Sequence, residues 1–121
     1  MEFLMLTYVS EAGATAYEAT DAAQQDADRV THNEWFERNR AVLRGGYELA
    51  WPRRTGRIAD DQQLVILDGP FADTKEALGG VIVLEAESFE AACEIARTWP
   101  SLRIYPGAKV EVVPVSEALG G

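Results

Sequence analysis

A chain of 121 residues is long enough to bury a genuine core without staples, and it is expected to form one domain over 1–121. Twenty acidic against eleven basic side chains give a net charge of −9, a field that repels polyanions and argues against nucleic acid and anionic membrane surfaces as partners. A single cysteine, Cys93, rules out an internal disulfide and a cysteine-based zinc cluster. The opening apolar run stops at Val9, too short for a secretory leader or a membrane span, so a cytoplasmic location is expected.

Residues 2–9 read as a continuous apolar strand containing Thr7 and Tyr8, central in a sheet and covered on at least one face. Ser10 to Ala27 is rich in Ala, Thr, Asp and Gln and reads as a surface excursion, part helical and mobile. A helix is expected from Asp28, with His32, Trp35, Phe36, Asn39, Val42 and Leu43 on one face and Gly45-Gly46 as its left-handed stop. Tyr47 to Trp51 reads as a short strand closed by Pro52. Arg53, Arg54 and Arg57 then surround a Thr55-Gly56 turn, in an arm leading to Leu64-Val65-Ile66-Leu67. That run and Val81-Ile82-Val83-Leu84 both read as buried strands. Ser88 is a good N-cap for a second helix with Phe89, Ala92, Cys93 and Ala96 on its apolar face, flanked by Ile95 and Trp99 and ended by Pro100. A last strand, Val110 to Val115, precedes a small polar tail.

The order is β-α-β-β-α-β with an extra β-hairpin, which specifies an α+β, ferredoxin-like fold: an antiparallel sheet with two helices on one face. The other sheet face, made of strands this apolar, would leave several hundred Å² of hydrocarbon in water. Two such faces meeting in a homodimer remove that exposure.

Between the apolar runs stands the most distinctive stretch of the chain, Asp68-Gly69-Pro70-Phe71, then Ala72-Asp73-Thr74-Lys75-Glu76 and Gly79-Gly80. Gly-Pro beside Asp punctuates the chain, so these residues form a connection at the surface, where function is often carried. The stretch closely resembles the signature of the YCII-related, or DGPF, family of small bacterial proteins. The resemblance runs from the first strand to Val115 and is strongest over 64–85. It implies the dimeric α/β-barrel superfamily.

His32, the one histidine, is the side chain best suited to proton transfer near neutral pH; otherwise it is a structural, hydrogen-bonded histidine. Asp68 at the end of a strand serves either to accept backbone N–H bonds of the turn or to act as a base or orienting acid for His32. Within the wider YCII group a His–Asp pair in a cleft is taken as an active-site dyad, in a dehydrochlorinase among others, and His32 with Asp68 match that pair in type. Asp73 is a second candidate acid or base. Lys75, Arg53 and Arg54 are candidate anion-binding groups, since arginine forks match carboxylates well, with a solvated ribbon as the plainer reading of the arginines. Phe71 is expected to anchor the loop to the core. No phosphate loop, dinucleotide fingerprint or nucleophile elbow is present, and neither a metal nor a cofactor is expected. Two functions fit these residues. One is a cofactor-free lyase or isomerase acting on a small acidic molecule. The other is a non-catalytic binding or regulatory module, for which the resemblance implies partners such as extracytoplasmic-function sigma factors.

Overall fold

The centre of the fold is β1 (Glu2–Ser10), and its alternation explains the rest. Phe3, Met5 and Thr7 are buried, while Leu4, Leu6 and Tyr8 point the other way and are half-buried. The architecture is that of a computed structural model, which describes residues 1–60, 63–71 and 74–120. After β1 come helices α1 (Glu11–Glu18) and α2 (Ala22–Arg38), then β2 (Leu43–Glu48). A two-stranded ribbon follows, β3 (Arg54–Ile58) with β4 (Leu64–Asp68), and then β5 (Glu76–Glu85). The chain ends with α3 (Phe89–Arg97), a single turn α4 (Ser101–Ile104) and β6 (Lys109–Pro114).

The main sheet has the order β2-β5-β1-β6, and all its pairings are antiparallel. With the helices on one face, this is the ferredoxin-like arrangement. Its core joins Met5, Trp35, Ile82, Leu84 and Ala96, all buried, with Leu43, Ile95, Trp99, Val110 and Val112 packed around them. The opposite face carries Leu4 and Leu6 on β1, Val81 and Val83 on β5 and Val113 on β6, in register with one another. None of these five is fully buried, and Val113 is 42% exposed.

Four expectations are corrected. First, the 10–27 stretch, expected to be part helical, holds both α1 and the start of α2: Ser10 caps α1 by accepting from Gly13 N at 2.8 Å, and Asp21 caps α2 by accepting from Gln24 N at 2.8 Å. The second helix therefore begins at Ala22 and not at Asp28. Second, Gly45-Gly46 does not stop that helix. Asn39 is its C-cap, and the glycines form an irregularity in β2, where the pairing with β5 shifts between Leu43 and Gly46. Third, Leu49 to Trp51 lie outside β2. Fourth, Leu64, Val65 and Ile66 are 61%, 48% and 47% exposed in the single chain, because among the described residues their strand pairs only with β3 and stands apart from the main sheet. Apolar sequence specified a strand there, but not its cover.

Candidate functional site

The functional candidates fall into two groups. The first is a polar seam where α2 docks on residues 98–105. Three hydrogen bonds form its rungs. Tyr105 Oη donates to Asp28 Oδ2 at 2.8 Å, Ser101 Oγ lies 2.8 Å from His32 Nε2, and Trp35 Nε1 donates to Thr98 Oγ1 at 2.8 Å. The spacing is helical on both sides. Asp28 and His32 are one turn apart on α2, and Ser101 and Tyr105 are one turn apart at α4 and its cap, so the pairs meet as two antiparallel rows.

His32 is held from both ends. Nδ1 lies 2.7 Å from the backbone carbonyl of Asp28, and Nε2 faces Ser101. The ring meets Trp99 edge-to-face at 5.0 Å and lies nearly parallel to Tyr105 at 6.5 Å. Trp99 in turn packs on Trp35 at 5.0 Å and Phe36 at 5.8 Å, so the imidazole is fixed by an aromatic wall as well as by hydrogen bonds. Asp28 is a carboxylate only 6% exposed, and both its oxygens are used: Oδ1 accepts from Gln24 Nε2 at 2.9 Å and Oδ2 from Tyr105. A buried carboxylate needs such partners to stay ionised without large cost.

The Tyr105 phenol is pushed well above its ordinary value near 10 by burial first, then by the hydrogen bond it donates to Asp28 and by the negative charge there. Folding therefore holds the phenol protonated to higher pH than the unfolded chain does. Its stabilising contribution is intact below about pH 10 and is lost progressively as pH climbs above that. Wild type and Tyr105→Phe, melted from pH 8 to 11.5, should differ by a stability gap that is constant below pH 10 and narrows above it. A gap that stays constant to pH 11.5 would show that the phenol is not held by Asp28.

The second group lies on and beside the ribbon. Asp68 ends β4 opposite Arg54 in register, and both are exposed. Gly69, at φ +84°, makes the turn that follows, and its N–H donates to Arg53 O at 2.9 Å. Phe71 meets Trp51 edge-to-face at 5.4 Å, so the aromatic of the signature rests on a residue three positions before the ribbon. The Arg53 guanidinium lies over the Trp51 ring, 5.9 Å from its centroid, and its Nη1 is sealed from solvent with no hydrogen-bond partner among the described residues. Lys75 is exposed, and its carbonyl accepts from Glu11 N at 2.8 Å, tying the signature to the start of α1. Asp73 lies outside the described residues.

His32 and Asp68 are thus on different parts of the fold, and both ring nitrogens of His32 have other partners. Sequence reasoning missed Asp28, Ser101 and Tyr105 as neighbours of His32. The Asp28–His32 spacing of one helical turn was the one local signal for them. Among the described residues, no three of His, Cys, Asp and Glu gather as metal ligands. No described helix is long and apolar enough to cross a membrane.

A search of curated proteins returns no match. Among solved structures, the chain resembles the 5-chloro-2-hydroxyhydroquinone dehydrochlorinase of Burkholderia phenoliruptrix AC1100 in complex with 2,5-dihydroxybenzoquinone, with a TM-score of 0.51 and 18% identity over 92% of this chain and 91% of that one. At that identity the likeness speaks for the fold. The sequence model of the YCII-related domain matches residues 1–117, and the chain belongs to that family.

Proposed function

We propose that this YCII-family protein is a cofactor-free enzyme of lyase or isomerase type that acts on a small acidic molecule, with His32 as its proton-transfer group. The observation that carries this reading is the held imidazole, fixed at both nitrogens between Trp99 and Tyr105 and beside a buried carboxylate. Positioned imidazoles transfer protons near neutral pH, and aromatic walls suit a flat, unsaturated ligand. The structural neighbour, a dehydrochlorinase in complex with a dihydroxylated quinone, is compatible with that class. Asp68, Asp73, Arg54 and Lys75 are proposed as ligand-contacting groups of the signature loop and ribbon. Arg53, whose guanidinium lies over the Trp51 ring beside the ribbon, is proposed with them as a group that recruits an acid. Titration with 2,5-dihydroxybenzoquinone tests the reading. Binding should move the ring resonances of the single histidine and weaken about tenfold in His32→Asn. Binding unchanged in that variant, or none at millimolar ligand, refutes it.

The second reading, a binding or regulatory module, is favoured by a different observation: the hydrogen-bonding groups of the seam are already matched within the chain, while the apolar surface lies elsewhere. Both readings include a homodimer, proposed from the open sheet face and from the exposed Ile58, Leu64, Val65 and Ile66 of the ribbon. Light scattering at micromolar concentration should give twice the 13.3 kDa chain mass. Val113→Glu, which places a charge on that face, should yield insoluble protein and not a stable monomer. A wild-type mass near 13.3 kDa sinks the dimer.

A further inference from the structure

We propose that Ser101, and not the ring of His32, is the side chain that meets the substrate, with His32 as the base behind it. This rests on the proton-transfer reading above and names the atom through which it operates. The ground is tautomeric. A backbone carbonyl has no proton to give, so the 2.7 Å contact with Asp28 O makes Nδ1 the N–H of neutral His32. Nε2 then holds the lone pair, and the Ser101 hydroxyl, 2.8 Å away, donates to it. A proton taken up by His32 at Nε2 therefore arrives from Ser101 Oγ. As the acidic proton of a substrate passes to Oγ, the proton already on Oγ passes to Nε2. The substrate keeps the electron pair, and the ring becomes an imidazolium that donates at both ends, to Asp28 O and to Ser101 Oγ. The reverse transfers return the proton to the product.

The placement of Ser101 fits this role. It follows the fully buried Pro100 at the first position of α4 and is itself half-buried, with Trp99 against the imidazole two residues earlier. The backbone around the hydroxyl is thus anchored by a buried neighbour, while Ser101 itself, on the middle rung of the seam, keeps part of its surface open to solvent. The same arrangement, a hydroxyl backed by an imidazole whose far nitrogen is held by an acceptor, is how nucleophilic serines are activated. A serine that merely braces a histidine has no such reactivity.

The test is covalent labelling with an alkyl fluorophosphonate. Ser101 Oγ forms the new O–P bond, the P–F bond breaks, fluoride leaves and the hydroxyl proton moves to His32 Nε2. The adduct should appear on Ser101 by mass spectrometry and slow about 100-fold in His32→Asn. That variant keeps a donor near the position of Nδ1 for Asp28 O, and its folding is verified by melting. No adduct on wild type, or equal labelling of the variant, overturns the proposal. Two further measurements guard against a variant that fails to fold. In wild type, nitrogen-15 spectra of the one histidine should show a protonated Nδ1 and a pyridine-type Nε2, and the opposite tautomer overturns the proposal. In Ser101→Ala, the freed Nε2 should react with diethyl pyrocarbonate at least about tenfold faster, and an unchanged rate overturns it. None of these readouts uses the quinone. Labelling without quinone binding would retain the Ser101–His32 pair and reject the substrate class. Quinone binding through His32 without labelling would reject only the role of Ser101.

Discussion

Trp35→Ala is expected to lower stability by about 3–5 kcal/mol, the range for removing a large aromatic from a packed core. Trp35 is fully buried among Met5, Ile82, Leu84 and Ala96, and its ring meets both Phe36 and Trp99 edge-to-face. Its N–H is matched by Thr98 Oγ1, so truncation loses a hydrogen bond, the contacts with both aromatic rings and with the aliphatic core, and the docking of α2 together. Against a total of about 5–15 kcal/mol for a domain, such a loss brings the variant close to unfolding at ordinary temperature. Chemical denaturation should show the midpoint collapse in Trp35→Ala and fall less in Trp35→Phe, which keeps most of the ring. A loss under 1 kcal/mol for the alanine variant would mean that the core is not organised around this residue.

The second large effect is expected from Gly46→Ala. Gly46 pairs with Ile82 at φ +153°, and a Cβ there would lie 2.3 Å from Val81 O and 2.9 Å from Ile82 Cα. Both obstructing atoms are backbone, so no side chain can swing aside, and β2 must detach from β5. Backbone strain alone costs about 1–3 kcal/mol, and the collision adds to it. Gly45→Ala is the internal control. Its φ is +112°, but no heavy atom lies within 4 Å of the added carbon, so only the strain remains. Hydrogen exchange should show β2 amides losing protection in Gly46→Ala well beyond the loss in Gly45→Ala. Equal behaviour of the two would refute the close approach.

These glycines also show where sequence was informative and where it was not. Two adjacent glycines signal positive φ, and both have it, but a helix stop and a strand irregularity make the same local demand. Strands β1, β5 and β6 and helix α3 were legible because β-branched runs and a three- and four-residue apolar stripe report them directly, whereas β2, Leu-Arg-Gly-Gly-Tyr-Glu, carries no such run and was expected only from Tyr47. Helix α1 and the first turns of α2 were not legible, since Ala, Gln and Asp lay down no stripe, although Ser10 and Asp21 stood ready as caps. His32 was placed correctly on the inward side by its spacing with Trp35. Its partner Ser101 lies 69 residues away, and no periodicity within a helix reports a neighbour at that distance. Leu64 to Leu67 taught the complementary lesson: an apolar run encodes what a strand can bury, while its cover depends on what else packs against it.

The place of β1 at the middle of the sheet has a consequence for synthesis on the ribosome. The first strand made is flanked by two of the last, since β5 begins at Glu76 and β6 at Lys109. At about 5–20 residues per second, Phe3, Met5 and Leu6 wait roughly 5–20 seconds between their own synthesis and the arrival of β6. During that interval the nascent chain presents an apolar strand that lacks first both of its neighbours and then, once β5 is made, one of them. Slow synthesis, which lengthens that wait, therefore strains this topology before any property of the finished molecule comes into play.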